Sequence, residues 1–242
     1  CIEKNDSLME NINQNGGVIF TFDDANISNW WSHIDYFKMN NIKCTYFLTM
    51  IHKYTTEEII KLKELKNEGH ELGYHGTHHI NANEYLQNHS LREYYEYEIL
   101  PDLSIMGSLL THPISFAYPY GAKNDSLDKY LSNYFLIKRA SISISNDYNI
   151  EDLDLIYVNP NENNRLVYGL SIESIHNITL SNIKKGLDKA NINKEIIVFY
   201  MHNLGGDHIY NINFETFDKI INYIDKLGMS ILTMSELSEI SN

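Results

Sequence analysis

The chain has 242 residues, 43% of them hydrophobic, and a formal charge of -13 at neutral pH. That length and apolar content suit a folded domain with a full core and argue against disorder. The acidic balance disfavours nucleic acid or an anionic membrane surface as partner, and no apolar run approaches the roughly 20 residues that span a bilayer.

Val18 to Phe22 reads as a first strand, and Asp23 and Asp24 follow it with no turn residue before them. Trp31, Ile34 and Phe37 fall at helical spacing over 30–40, and Lys43 to Leu48 forms a second strand that buries Cys44 as a free thiol. Thr55-Thr56-Glu57-Glu58 predicts a capping box opening a helix with Ile59, Leu62 and Leu65 on one face, stopped at Gly69. Glu71 to Tyr74 is a third strand running into His75. A helix over 90–110 precedes a strand at 114–117, and another strand lies within 130–145. The helix from Thr179 to Ala190 leads into Glu195–Tyr200, the clearest buried strand. Phe214, Phe217, Ile221 and Ile224 share one face of a further helix, Gly228 ends it, and Met229 to Thr233 is the last strand. Residues 159–170 and 203–211 read as loops that set substrate choice. Strands alternating with helices imply a parallel sheet or barrel.

The residues with chemistry fall at the C-terminal ends of these strands, where barrel active sites assemble. Neighbouring strand-end side chains point in different directions, so one of Asp23 and Asp24 can ligate a metal while the other faces substrate. His75 and His79 are spaced to reach one ion, although His75 with His78 would also serve. One carboxylate and two imidazoles suit a catalytic divalent metal, and the spare carboxylate is a ready general base. His202 follows the buried strand and suits a general acid, with His208 a weaker rival and His70 a structural group. The loop Phe116 to Gly121, stiffened by Pro119, can offer a backbone N–H to an oxyanion.

Taken in order, Thr21-Phe22-Asp23-Asp24, His75 to His79, Phe116 to Gly121 and Val198 to His202 resemble the motifs of the polysaccharide deacetylases, carbohydrate esterase family 4. The likeness runs from about Gly16 to Glu239. It implies a distorted (β/α) barrel of about seven parallel strands and removal of acetyl groups, N-linked and by extension O-linked, from a glycan. It also implies Asp24, His75 and His79 as ligands of a metal, usually zinc, which selects His79 over His78. Asp23 would then be the base, His202 the acid, and the Tyr120 N–H an oxyanion donor. Two departures stand out. The family's third motif begins with an arginine that pairs with the base, and here Ala117 stands there. Arg139, on the following strand, is the expected substitute. The fourth motif, whose Asp orients the catalytic histidine, has only Asp147-Tyr148 as a counterpart.

These departures leave two other readings: a sugar-binding protein that has lost efficient turnover, or a hydrolase of a small amide. Cys1 before the polar segment Glu3 to Ser7 has the look of a mature lipoprotein. The expectation is a tether over 1–15 ahead of a domain at 16–242, with any membrane contact through lipid on Cys1 and a cell-envelope or extracellular location.

Overall fold

The computed structural model describes residues 2–142 and 148–240, so Cys1 and Asp147 lie outside the described residues. Five strands come first: β1 (Gly17–Asp24), β2 (Thr45–Leu48), β3 (Glu71–Tyr74), β4 (Ser115–Ala117) and β5 (Ile137–Ser141). They are followed by β6 (Tyr157–Val158), β7 (Leu166–Ser171), β8 (Ile196–Met201), β9 (Asn203–Leu204), β10 (Asn211–Ile212) and β11 (Ser230–Leu232). Strands β1 to β5, β7 and β8 pair in parallel in that order, and β8 closes on β1 through Gly17↔Ile196 to Phe22↔Met201. The result is a closed parallel barrel of seven strands.

One strand in that ring differs from expectation. Residues 159–170 are not all loop, because Leu166–Ser171 pairs with both β5 and β8 and completes the wall. The last strand, β11, instead pairs with Gly17–Ile19 alone, below the stretch of β1 that takes β2. Gly169 and Tyr168 interrupt the apolar pattern of β7, which disguises it as loop.

Strand parity sorts the core into two layers. Ile19, Phe47, Ala117, Ile137, Val167 and Val198 cluster inside the barrel, while Val18, Phe20, Phe22, Tyr46, Tyr74 and Phe199 face the surrounding helices. Continuing the inward register up each wall gives Ile19–Thr21–Asp23, Ile137–Arg139–Ser141 and Val198–Tyr200–His202. Polar side chains therefore form the top layer. At the bottom, Ile12 of the helix Ile2–Asn15 is fully buried with Met234 and Leu237 of the helix Met234–Ile240, closing that end. The segment expected to serve as a tether thus contributes packing from Leu8 onward.

The predicted capping box is present: Thr55 accepts from the Glu58 N–H and Glu58 from the Thr55 N–H. The helix expected over 90–110 runs as Leu91–Tyr94, a π-turn at Tyr95–Ile99 and Leu100–Leu109.

Candidate metal and acid–base centre

Asp23, Asp24, His75, His79, Tyr120, Arg139 and His202 converge at the C-terminal mouth on a cavity of about 290 Å³. Asp24 Oδ1 lies 3.3 Å from His79 Nε2 and 3.8 Å from His75 Nε2. It is buried and has no hydrogen-bond partner, which is costly for a carboxylate oxygen unless a cation completes it. Among the described residues this is the one cluster whose three donor atoms lie within 4.8 Å of one another. An oxygen and two imidazole nitrogens suit zinc or a similar divalent ion. The residues present fit the group.

Each candidate ligand is prepared by its surroundings. His75 follows β3 and its Nδ1 meets the Ala117 carbonyl at 2.8 Å, which fixes the proton there and leaves Nε2 to face Asp24. Burial lowers its pKa to about 4, against the opposing pull of Asp23, so the ring is neutral as a ligand must be. Asp24 ends β1 at φ 83 and His79 sits at φ 57. Both are left-handed, a conformation that aspartate and histidine tolerate better than most residues. The turn at Asp24 breaks strand alternation, so its side chain crosses the mouth while Asp23 points down the barrel. His78 is drawn away instead, stacked on Tyr97 with ring centroids 4.2 Å apart.

Asp23 and Arg139 meet inside the barrel, where the Arg139 side chain donates a hydrogen bond to Asp23 Oδ2. Arg139 is 1% exposed, with its guanidinium over the rings of Tyr200 and Phe47. Burial pushes the Asp23 carboxyl up, but the Arg139 charge and hydrogen bond, with the charge of His202, outweigh it and hold the pKa below its ordinary value. Asp23 Oδ1 is left buried and unpartnered, facing the cavity. The third-motif departure at Ala117 is thus matched by a cation arriving from β5, the next strand along.

His202 follows β8, and its Nε2 stands 3.7 Å from Asp24 Oδ2. Its Nδ1 and its backbone N–H both reach Glu173 Oε1, at 2.9 and 2.8 Å. Burial opposes protonation of His202, yet the Glu173 hydrogen bond and the charges of Asp23, Glu173 and Asp24 raise its pKa to about 9. Trp30 Nε1 donates to the His202 carbonyl, and Asn29 exchanges two hydrogen bonds with Leu204, clamping the loop behind the ring. Glu173 was not among the residues expected from sequence. It follows β7, and recognising that strand would have placed it at the mouth. His208 is exposed in the next turn, and His70 lies at the opposite end of β3.

Tyr120 occupies a one-turn 3-10 segment at φ 59, and amides in such a first turn have no partner within it. Its ring is 67% exposed and lies 4.7 Å from that of His79.

The family model for polysaccharide deacetylases matches residues 11–136. No curated protein matches by sequence. Among solved structures, the peptidoglycan deacetylase PdaC from Bacillus subtilis is similar at 21% identity and a TM-score of 0.54, covering 95% of this chain and 92% of that one. A family-4 carbohydrate esterase from Streptococcus mutans reaches a TM-score of 0.60 at 19% identity, covering 96% of this chain and 90% of its own. BA3943 from Bacillus anthracis, a pseudoenzyme of the same family, reaches 0.61 at 13% identity, covering 93% and 66%.

Proposed function

The chain belongs to the polysaccharide deacetylase family, and from that premise we propose that it is a metal-dependent hydrolase removing acetyl groups from a glycan, with zinc the leading ion. The observation that carries this reading is the Arg139–Asp23 pair set beside the Asp24, His75 and His79 donors and opposite His202. Each group that amide or ester hydrolysis needs is within one cavity.

A divalent ion at Asp24, His75 and His79 would supply Lewis-acid polarisation of the acetyl carbonyl and lower the pKa of water. Asp23 is kept ionised by Arg139 and presents Oδ1 to take a proton from the attacking water. The Tyr120 N–H would serve as a donor to the developing oxyanion. His202, charged and held by Glu173 through Nδ1, delivers the Nε2 proton to the leaving amine or alcohol. Glu173 thus does for His202 what the fourth-motif aspartate does in the family.

The competing reading, a sugar binder without turnover, draws on the alanine at 117. Arg139 beside Asp23 removes most of its force. The test is acetate release from N- and O-acetylated oligosaccharides, with a small cyclic amide included, by metal-stripped protein with and without zinc. Zinc-dependent release that His79→Ala abolishes is the expected result. Tight zinc binding with no release on any glycan would favour the binder, and release from the cyclic amide alone would change the substrate.

A further inference from the structure

Glu98 lies in the π-turn with no exposed surface, yet neither the catalytic nor the ligand set uses it. Its oxygens accept the backbone N–H of His78 at 2.8 Å and of Ile80 at 3.1 Å, and the His79 N–H donates to it as well. Three successive amides of the ligand loop converge on one carboxylate. The His78 ring, its Nδ1 3.4 Å from Glu98 Oε2, closes the nest from outside and is itself stacked on Tyr97. The Glu98 carbonyl accepts from the Thr77 N–H and from the Tyr74 hydroxyl, bonds that a π-turn permits because it displaces the helical ladder. On the facing side stands Gly76 at φ 87, where a Cβ would lie 2.2 Å from Glu98 Oε1. Glycine is what lets the carboxylate reach under the loop.

We propose that Glu98 is a positioning residue for the metal ligand His79: admitted by Gly76, it gathers the amides of residues 78–80 and holds His79 in the left-handed turn that aims Nε2 at Asp24. A non-glycine residue in such a conformation is strained, and the three amide hydrogen bonds to Glu98 offset that strain. Glu98 touches no reacting atom; it acts through the backbone of its ligand. This inference rests on the reading of Asp24, His75 and His79 as a metal site.

The experiment is zinc affinity, measured by competition with a chromophoric chelator, for the wild type, Glu98→Ala, Glu98→Gln, Gly76→Ala and the Glu98→Ala/Gly76→Ala double variant. His79→Ala marks the loss of one ligand, and thermal unfolding of every metal-free form is recorded alongside. Glu98→Ala is expected to weaken zinc binding about 10–100-fold, as loss of groups that orient ligands does. Glu98→Gln is expected to fall between, because its carbonyl oxygen still accepts part of the nest. The double variant is expected to lose less than the product of the two single losses. Unchanged zinc affinity in Glu98→Ala overturns the proposal, and so does a lower melting temperature with affinity intact, which would mark a purely structural role. Should Glu98→Ala not fold, Glu98→Gln decides: several-fold weakening supports positioning, and none refutes it. A wild type that binds zinc no better than His79→Ala would instead sink the metal site itself.

Discussion

The two ends of the barrel each enclose a carboxylate, Asp23 at the C-terminal mouth and Glu71 at the opposite rim, and they are treated in opposite ways. Asp23 has a guanidinium on one oxygen and nothing on the other, and its pKa lies below the ordinary value. Glu71 has no cation paired with it among the described residues. Its oxygens accept from the hydroxyls of Thr45 and Ser115 and from the Ser235 N–H, and burial raises its pKa. Through that last bond Glu71 helps to cap the closing helix, as Glu236 does through the Thr233 N–H. The rim satisfies its polar atoms. The mouth leaves Asp23 Oδ1, Asp24 Oδ1 and Arg139 Nε unsatisfied and holds Asp24, His79 and Tyr120 at positive φ. The unmet hydrogen bonds at the mouth belong to charged side chains, placed where a ligand is to arrive.

The sharpest way to break this contrast is Asp23→Asn, which keeps the shape and removes the base. Turnover is expected to fall about 10²–10⁴-fold while zinc affinity stays within a few-fold. Retained turnover would remove Asp23 from the chemistry. Arg139→Ala is expected to cost about 10²-fold in turnover and, by leaving a buried charge alone, about 3–5 kcal/mol of stability. Combining it with Asp23→Asn should return much of the stability and none of the activity, and chemical denaturation of the four forms measures this.

At the rim the effects are on stability alone. His70 accepts the Cys44 N–H on Nδ1, and burial lowers its pKa to about 4, with Glu68 pulling it up and Lys43 pushing it down. The unfolded chain, with His70 near 6.5, binds the proton first. Stability from this group is therefore complete above about pH 6.5 and lost as pH falls toward 4, by about 3 kcal/mol in total. Unfolding free energies across that range, compared with those of His70→Gln, isolate the term; identical slopes would contradict it. The smallest effect expected is for Glu71→Gln. A raised pKa means that this carboxyl favours folding when protonated and loses that contribution as pH rises through its folded value. The neutral amide, donating to Ser115 and accepting from Thr45 and Ser235, should stabilise the protein at pH 7 by about 1 kcal/mol, or a few degrees in Tm. Any turnover should not change. If Glu71→Gln lowered turnover as Asp23→Asn does, the division between the two ends would fail.

Much of the mouth is legible in the chain itself because its ligands come from short contiguous segments. A strand ending in Asp23-Asp24 and a strand running into His75 declare their positions by apolar runs that stop at polar residues. The choice between His78 and His79 is not local. It depends on Tyr97 and Glu98, which the π-turn brings alongside: Tyr97 stacks the His78 ring outward, and Glu98 accepts from the backbone amides of both histidines. Arg139 carries a weak signal, a charged residue inside an otherwise apolar strand, and only strand order sets β5 so that its inward register reaches Asp23. Glu173 carries almost none, because Tyr168 and Gly169 hide the strand before it.

By itself, then, the sequence determined most of the elements, the α/β class and the candidate metal ligands, since hydrophobic periodicity and ligand spacing are properties of neighbouring residues. Tertiary structure alone decided which strands close the ring, that β7 rather than β11 completes it, and which distant charges serve Asp23 and His202. Those choices depend on through-space electrostatics and on strand parity around a closed barrel, where residues 116 and 29 positions apart in the chain become hydrogen-bonded partners.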